Sequence, residues 1–191
     1  MNLKFKSISI IVALVAITFT GCKKDDDDDH DHIHNEDGEL ITSVELSFID
    51  SANVSDTVMF AFRDPDGEGG NGPTVFDSIK LRKGTTYYMN ISFLDESNPN
   101  DIEDITEEIK MEDDEHLICY DLVGLPSLSY IVTDSDGQFP VGLESTWRTD
   151  LSQNVDNGKF KVTLKHQPGV KNGSCAPGDT DVEISFTATI N

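Results

Sequence analysis

Three histidines alternate along a short stretch near the amino end of the chain. His30, His32 and His34 are separated by Asp31 and Ile33. In an extended chain, alternate side chains point to the same side, so the three imidazoles would line one edge. Neutral imidazole suits Zn²⁺, Cu²⁺ or Ni²⁺, and neighbouring carboxylates raise the local cation concentration. The stretch predicts a transition-metal site of modest affinity, because ordering a disordered segment costs entropy; a polar linker with incidental histidines is the alternative.

The remaining two histidines stand beside predicted strand ends. His116 follows Glu115, and His166 lies about fifty residues further on. If their strands meet, the two imidazoles and a carboxylate such as Glu115 or Asp134 would form a three-ligand metal site. The alternative is that both histidines are structural, because the pattern specifies only two ligands.

Two Asp-x-Asp-Gly sequences are candidate calcium loops: Asp64-Pro65-Asp66-Gly67 and Asp134-Ser135-Asp136-Gly137. Calcium loops use alternating carboxylates and a glycine for the sharp turn, which makes Asp64, Asp66 and Asp136 candidate Ca²⁺ ligands. Neither loop has the glutamate that completes an EF-hand. An Asp-Gly pair also favours a tight turn by itself, so a turn without metal is the alternative.

Composition and motifs argue against several functions. The net charge is -22, with 36 acidic against 14 basic residues, which excludes a nucleic-acid partner because phosphates are bound by Lys and Arg. There is no Gly-x-Ser-x-Gly nucleophile motif, and no Lys-Ser/Thr follows the glycine-rich Gly67–Gly72. Carboxylate pairs are too abundant in so acidic a chain to indicate a glycosidase. We therefore expect a protein that is not an enzyme.

The elements that must position these residues are predominantly strands. From residue 40 onward, apolar residues alternate with polar ones in short runs rich in Val, Ile, Thr, Phe and Tyr. The runs are Ile41–Phe48, Thr57–Arg63, Val75–Leu81, Thr85–Leu94, Leu117–Val123, Leu128–Thr133, Val141–Thr149, Lys159–His166 and Val182–Ile190. About nine short strands separated by turn clusters predict one all-β domain over residues 40–191, an antiparallel β-sandwich that is immunoglobulin-like or jelly-roll-like.

One segment has helical rather than strand periodicity. Ile102, Ile105 and Ile109 share one helical face, and Asp104 with Glu107 three residues later resembles a capping box. We predict one short helix that crosses the edge of the sandwich.

The amino end indicates export and lipid attachment. Lys4 and Lys6 precede the apolar run Ile8–Phe19, which is too short to span a membrane and has the proportions of a signal peptide. Phe19-Thr20-Gly21-Cys22 resembles a lipobox. We predict a signal peptide over residues 1–21, lipidation of Cys22, and a disordered acidic and histidine-bearing tether over residues 22–39, which begins with two lysines and five aspartates.

The chain resembles an uncharacterised group of surface lipoproteins from flavobacteria and other Bacteroidetes. The resemblance rests on Phe62-Arg63-Asp64-Pro65-Asp66-Gly67, Ile105-Thr106-Glu107-Glu108-Ile109, Pro140-Val141-Gly142-Leu143, Leu164-Lys165-His166-Gln167-Pro168 and Thr180-Asp181-Val182-Glu183. It implies a lipid anchor in the outer membrane with the domain facing the cell exterior, as the charged residues after Cys22 also suggest. Proteins of this group often carry the label "type 1 periplasmic binding fold", whose two α/β lobes the strand alternation contradicts.

Two further cysteines, Cys119 and Cys175, lie in the predicted domain. An oxidising compartment permits a disulfide between them. Sequence alone does not show that their Cα atoms approach, so two free thiols are the alternative.

Together these features predict a non-enzymatic binding accessory on the cell surface. It would capture a ligand such as Zn²⁺ or Cu²⁺, with Ca²⁺ at the aspartate loops as a further candidate, and pass it to an outer-membrane receptor. The competing hypothesis is a structural or adhesive module that recognises a protein or glycan without a metal.

Overall fold

The computed structural model describes residues 39–67, 69–151 and 154–191. Ten strands and one helix follow one another in this part of the chain. They are β1 (Ser43–Asp50), β2 (Thr57–Arg63), β3 (Val75–Phe76), β4 (Ser78–Leu81), β5 (Thr86–Leu94), α1 (Ile105–Met111), β6 (His116–Val123), β7 (Leu128–Val132), β8 (Glu144–Thr149), β9 (Val155–His166) and β10 (Asp179–Ile190).

The strands form two sheets. The larger has the order β3-β2-β1-β5-β8-β7 and the smaller the order β4-β10-β9-β6, and they do not close into a barrel. The predicted all-β sandwich is therefore confirmed, and the two α/β lobes of a periplasmic binding fold are not its architecture. The period-two alternation explains this result, because it gives each strand one apolar face to bury against the opposite sheet.

Large aromatic side chains fill the space between the sheets. Phe48 from β1, Trp147 from β8 and Phe160 from β9 are fully buried and meet edge-on or tilted, with ring centroids 4.7–6.3 Å apart. The Trp147 indole N–H donates to the Ser145 hydroxyl at 2.8 Å, so its polar atom is satisfied inside the core. Each such side chain contributes about 1.5–3 kcal/mol by burial, and this shared core holds the sheets together.

The predicted single strand Val75–Leu81 is two strands in different sheets. At Asp77, between β3 and β4, the backbone N–H donates to Ala61 O at 3.0 Å, and the carboxylate accepts from Ala61 N at 2.9 Å. The side chain thus replaces a backbone acceptor at the point where the chain leaves the larger sheet. β4 then pairs in parallel with β10, the one parallel pair among the named strands, and the count rises to ten from the expected nine or so.

The helix forms where sequence periodicity predicts it. The Asp104 side chain caps its first turn by accepting from Thr106 N at 3.1 Å, and Ile105 and Ile109 are buried. Ile102, which was expected on the same face, precedes the helix and is 55% exposed. No helix in the described ranges has the length and apolar character required to cross a membrane.

Candidate metal centre

The two histidines of the domain lie opposite each other at one end of the smaller sheet. β6 begins at His116 and β9 ends at His166, and the antiparallel register pairs these two residues directly. Their rings stack with centroids 4.8 Å apart and planes 9° from parallel. His116 is fully buried, whereas about a third of the His166 side chain is exposed. The predicted meeting of these strands therefore occurs.

A backbone carbonyl fixes the tautomer of His116. Nδ1 lies 3.0 Å from the carbonyl oxygen of Glu112, which only accepts hydrogen bonds, so Nδ1 carries the hydrogen. In the neutral ring the lone pair is then on Nε2, which is buried and has no hydrogen-bond partner. Histidines that bind metals are oriented in this way, with one nitrogen donating to a carbonyl and the other free for the ion.

Three glutamates surround the histidine pair. Glu39 Oε1 is 3.6 Å from His116 Nε2, and Glu115 Oε2 is 3.5 Å from His166 Nε2. One ligand atom each from Glu112, His116 and His166 lies within 4.8 Å of the other two. The 3.5–3.6 Å separations exceed the 2.7–3.2 Å of a normal hydrogen bond. They match the edge of a tetrahedron around Zn²⁺, about 3.3–3.6 Å for bonds of 2.0–2.2 Å.

A β-bulge brings a further carboxylate toward this end of the sheet. The pairing of β10 with β9 shifts between Thr180 and Val182, so Asp181 is the extra residue of the bulge. Its Oδ2 is buried without a hydrogen-bond partner. Burial raises the pKa of Asp181, while the charges of His166 and, more weakly, His116 oppose that rise. Asp181 is thus close enough to both histidines to sense their charge.

The cluster favours a positive charge at the buried imidazole. Burial by itself would lower the pKa of His116, but the Glu39 carboxylate, the Glu112 carbonyl and Asp181 together hold that pKa above its usual value. A proton on Nε2 and a divalent cation bound to Nε2 would both satisfy the same negative surroundings. The site can therefore hold either a buried histidine–glutamate ion pair or a metal ion.

Buried polar atoms without hydrogen-bond partners are concentrated here. Among the described residues they include Glu39 Oε2, His116 Nε2, His166 Nε2 and Asp181 Oδ2. An unsatisfied buried polar atom costs about 1–3 kcal/mol, and native proteins contain few of them. One cation coordinated by several of these atoms would satisfy them together.

The stacking of the two rings sets a condition for joint coordination. In-plane lone pairs of stacked, nearly parallel imidazoles do not converge on one point. A single ion therefore requires one ring to rotate about its side-chain torsions. His166 has the room to do so because it is partly exposed, whereas His116 is fixed by the Glu112 carbonyl.

Hydrogen bonds anchor the loop of residues 167–178, which follows His166, beside the site. Gln167 is fully buried, and its backbone N–H donates to Glu115 O at 2.6 Å. Its side-chain amide donates to the carbonyl oxygens of Ser174 and Pro177, both at 2.9 Å, so the loop closes on its own first residue.

Two long-range connections secure the same loop. A disulfide joins Cys175 in the loop to Cys119 on β6, with the Cα atoms 6.1 Å apart. Lys171 donates to Asp113 O at 2.6 Å and forms an ion pair with Asp136 at 2.9 Å, with both side chains almost fully buried. The disulfide and the Lys171 contacts therefore restrain the loop that follows His166, and with it the end of β9.

The structure corrects the role of Asp134. It does not bring this residue to the histidines. Its two carboxylate oxygens accept the backbone N–H groups of Gly142 at 2.9 Å and Leu143 at 2.8 Å. Asp134 therefore fixes the backbone that leads into β8. The carboxylates beside the histidines are Glu115, which the sequence analysis also named, and Glu112, which it did not.

Two of the three candidate calcium ligands, Asp66 and Asp136, are engaged in turn contacts. The pKa of Asp136 is lowered to about 2 by hydrogen bonds from the backbone N–H of Phe139, the side chain of Lys171 and the backbone N–H of Gln138. Asp66 accepts from the backbone and side-chain nitrogens of Asn71, each at 2.7 Å, and these bonds lower its pKa. Burial raises the pKa of the adjacent Asp64, whose Oδ1 is buried without a hydrogen-bond partner. Hydrogen bonds alone thus account for Asp66 and Asp136, which is the turn interpretation of these loops.

Several predicted residues lie outside the described ranges. They are the lipidation site Cys22 and the tether histidines His30, His32 and His34, together with the signal peptide.

Three acidic residues of the cluster were not predicted. Glu39 was assigned to the tether, yet its side chain is only 20% exposed and contacts His116. Glu112 follows α1 as its C-cap, and Asp181 depends on the bulge. No sequence pattern indicated Glu112, because α1 ends at Met111 and His116 belongs to the following strand, so helical spacing does not relate the two residues.

The described part of the chain is thus an all-β sandwich with a histidine and carboxylate cluster at one end of its smaller sheet. Compared with known protein families, curated proteins and solved structures, the chain matches none.

Proposed function

We propose that the protein binds a transition-metal ion, Zn²⁺ first and Cu²⁺ second, at His116, His166 and Glu112. The observation that carries this proposal is the buried Nε2 atom of His116. It has no hydrogen-bond partner, it carries the lone pair when the ring is neutral, and carboxylates surround it. Binding without catalysis is the activity that we assign to the site.

The donor set supports this choice of ion. Two imidazole nitrogens with carboxylate oxygens suit zinc and copper, whereas magnesium and calcium prefer oxygen alone. Glu39 supplies a fourth ligand within reach, because its Oε1 already lies at a tetrahedral-edge distance from His116 Nε2.

The setting of the site is part of the proposal. A lipid anchor at Cys22 would hold the protein in the outer membrane facing the cell exterior, as in the Bacteroidetes lipoproteins that the sequence resembles. The net charge of -22 attracts cations, and His30, His32 and His34 on the tether offer a second, weaker histidine cluster. In this arrangement the protein captures a metal ion outside the cell and passes it to an outer-membrane receptor.

Zinc titration of the purified full chain tests the proposal. The metal-free protein is titrated with Zn²⁺ by calorimetry, alongside a variant with alanine at His30, His32 and His34 that isolates the domain site. The triple variant is expected to retain one Zn²⁺. Adding His116→Ala is expected to weaken that binding by more than roughly 100-fold, because losing a ligand exceeds the 10–100-fold effect typical of losing an outer partner.

The zinc titration needs a control for folding and a comparison with other ions. Circular dichroism spectra establish that each variant is folded, and Cu²⁺ and Ca²⁺ titrations rank the ions. A triple variant that binds no Zn²⁺, or one whose affinity is unchanged by His116→Ala, contradicts the proposal.

A structural or adhesive module without a metal is the second candidate. It is favoured by exposed apolar residues on the outer face of the larger sheet. Tyr88 and Ile131 are 51% and 71% exposed and both pair with Thr146, so they flank one position of β8. Crosslinking on intact cells separates the candidates, since a partner captured equally with and without chelator, together with no Zn²⁺ binding, favours the adhesive function.

A further inference from the structure

β7 forms one edge of the larger sheet, and some of its backbone groups point away from the sandwich. Just after the strand, the N–H of Thr133 donates to Glu144 O at 2.9 Å and continues the β7–β8 ladder. Hydrogen-bonded and non-hydrogen-bonded pairs alternate along an antiparallel ladder, so the next hydrogen-bonded residue of β7 is Ile131. The N–H and C=O groups of Tyr130 and Val132 therefore point outward from the edge.

These outward groups have no hydrogen-bond partner within the described ranges. β7 pairs with β8 alone, and no turn or side-chain hydrogen bond reaches the backbone N–H or C=O of Tyr130 or Val132. At the start of the strand, by contrast, the N–H of Leu128 is satisfied by Leu125 O at 3.1 Å. Donors and acceptors with the spacing of an ordinary strand are thus left for an added strand.

The other sheet edges are shielded in ways that β7 lacks. β3 has only two residues, and β4 contains Lys80 and is followed by Arg82 and Lys83. The edge of β6 is covered by the chain itself, since Ile118 N donates to Val141 O at 2.7 Å. Short length, charge and coverage are the usual protections of edge strands against pairing with another chain. β7, with the sequence Leu-Ser-Tyr-Ile-Val, has no charged residue and no proline.

The protein holds β7 in an extended shape that suits a partner strand. The Tyr130 ring stacks on the buried Trp147 with centroids 4.6 Å apart, and its hydroxyl donates to Tyr120 O of β6 at 3.1 Å. The Ile131 side chain is 71% exposed on the outer face of the sheet. Binding at such a preformed edge requires little ordering of the protein, which lowers its entropic cost.

Charge indicates which partner fits this edge. Burial and, secondarily, the negative charge of Asp121 raise the pKa of Tyr130, so a carboxylate lies near the edge. Asp121 is exposed, and Lys161, which is opposite it on β9, forms an ion pair with Glu183. The net charge of -22 opposes pairing with a second copy of the chain and favours a strand that carries lysine or arginine.

We propose that β7 is a docking edge for an extended, basic segment of a partner protein, which adds to the larger sheet as a seventh strand. Backbone hydrogen bonds to Tyr130 and Val132 supply affinity, and basic side chains of the partner contact Asp121 and the acidic surface around it. This inference goes beyond the proposed function, because it concerns an edge of the larger sheet and requires no metal ion.

Peptide binding and amide hydrogen exchange on the purified full chain test the inference. The probe is a synthetic, fluorescently labelled peptide of alternating lysine and valine, and fluorescence anisotropy measures its affinity. One control peptide has prolines in place of its central valines, which keeps the charge and prevents strand pairing. Another has glutamate in place of every lysine. The basic peptide is expected to bind more than roughly tenfold more tightly than either control, and to slow the exchange of the Tyr130 and Val132 amides.

Variants separate backbone pairing from contact with side chains. Val132→Pro removes an outward N–H and leaves the ladder with β8 intact, and it is expected to weaken binding by about tenfold. Ile131→Thr is the matched control, because it removes the exposed apolar side chain of the neighbouring residue and keeps every backbone group, and it is expected to bind like wild type. Asp121→Asn is expected to weaken binding mainly at low salt. Thermal unfolding establishes that each variant is folded.

The contrary outcomes identify other occupants. No binding of the basic peptide, or equal binding of the proline-containing peptide, overturns strand addition, as does an affinity that Val132→Pro leaves unchanged. A larger loss in Ile131→Thr than in Val132→Pro assigns the contact to an apolar side-chain patch instead. A dimer in sedimentation, with slow exchange of the Tyr130 and Val132 amides before peptide is added, identifies a second copy as the occupant and overturns the basic partner. Tighter binding of the glutamate peptide overturns the basic partner as well.

Discussion

Two acidic regions of the sandwich differ in how their polar atoms are satisfied. In the loop from Asp134 to Gly137, both aspartates accept backbone N–H groups, and Asp136 also binds Lys171. At the histidine end, by contrast, buried atoms of Glu39 and His116 have no hydrogen-bond partner. This contrast in unsatisfied polar atoms, rather than the number or motif of the acidic residues, is the basis on which we propose the histidine end as the ligand site.

The loop 167–178 connects the two regions. It starts beside His166, reaches Asp136 through Lys171, and is closed by the bond between Cys119 and Cys175. A change in this loop is therefore expected to affect both regions, whereas a change within one region is expected to affect that region alone.

The largest expected effect comes from removing the disulfide. The double variant Cys119→Ser, Cys175→Ser is expected to lose about 4 kcal/mol of unfolding free energy, because the bond closes a loop with a sequence separation of 56. Urea denaturation of the full chain measures this loss, and zinc titration of the same variant is expected to show weaker binding because His166 adjoins the freed loop. Wild-type protein under reducing agent is the control and should show the same loss. Unchanged stability would mean that the hydrogen bonds of Gln167 and Lys171 suffice to hold the loop.

An intermediate effect is expected from Asp134→Ala. The variant leaves the N–H groups of Gly142 and Leu143 without their acceptor, at a cost of about 2 kcal/mol. Zinc affinity is expected to stay at the wild-type value, since Asp134 does not reach the histidines. Denaturation and zinc titration of one preparation measure both properties, with the exposed Glu107→Gln as a control for a lost surface carboxylate. A fall in zinc affinity without a loss of stability would mean that Asp134 belongs to the zinc site and does not stabilise the loop.

The sequence predicts the sandwich well because strand identity is local. Alternation of apolar and polar residues reproduces the run Thr57–Arg63 residue for residue, and most other runs within a few positions. Alternation does not identify the partner of a strand, so the parallel pairing of β4 with β10 could not be predicted. The break at Asp77 depends on its carboxylate, which accepts a hydrogen bond from the backbone N–H of Ala61 sixteen residues away, and no local pattern encodes this contact.

The candidate site shows the same limit. The meeting of His116 and His166 followed from their places at strand ends, once those strands were assumed to pair. Glu39 and Asp181 could not be found in this way, because the first depends on where the chain enters the domain and the second on a bulge. A bulge inserts one residue without disturbing the alternation on either side, so it leaves little trace in the sequence.

The smallest expected effect is the acid dependence of Asp136, a carboxylate whose partners all lie within the protein. Its pKa is held at about 2 by hydrogen bonds from the backbone N–H of Phe139, the side chain of Lys171 and the backbone N–H of Gln138. This value lies below the pKa of about 3.9 for an unfolded chain. A lowered pKa in the folded state stabilises the protein fully above the unfolded value, and this stabilisation disappears as the pH falls from about 4 to about 2. Urea midpoints of wild type and Asp136→Asn, measured between pH 7 and pH 2, are expected to differ by a constant amount above about pH 5 and to approach each other as the pH falls from about 4 to about 2. A difference that is the same at every pH would show that the loop is held by the shape of the side chain rather than by its charge, and Lys171 would then contribute to the loop as a hydrogen-bond donor to Asp113 alone.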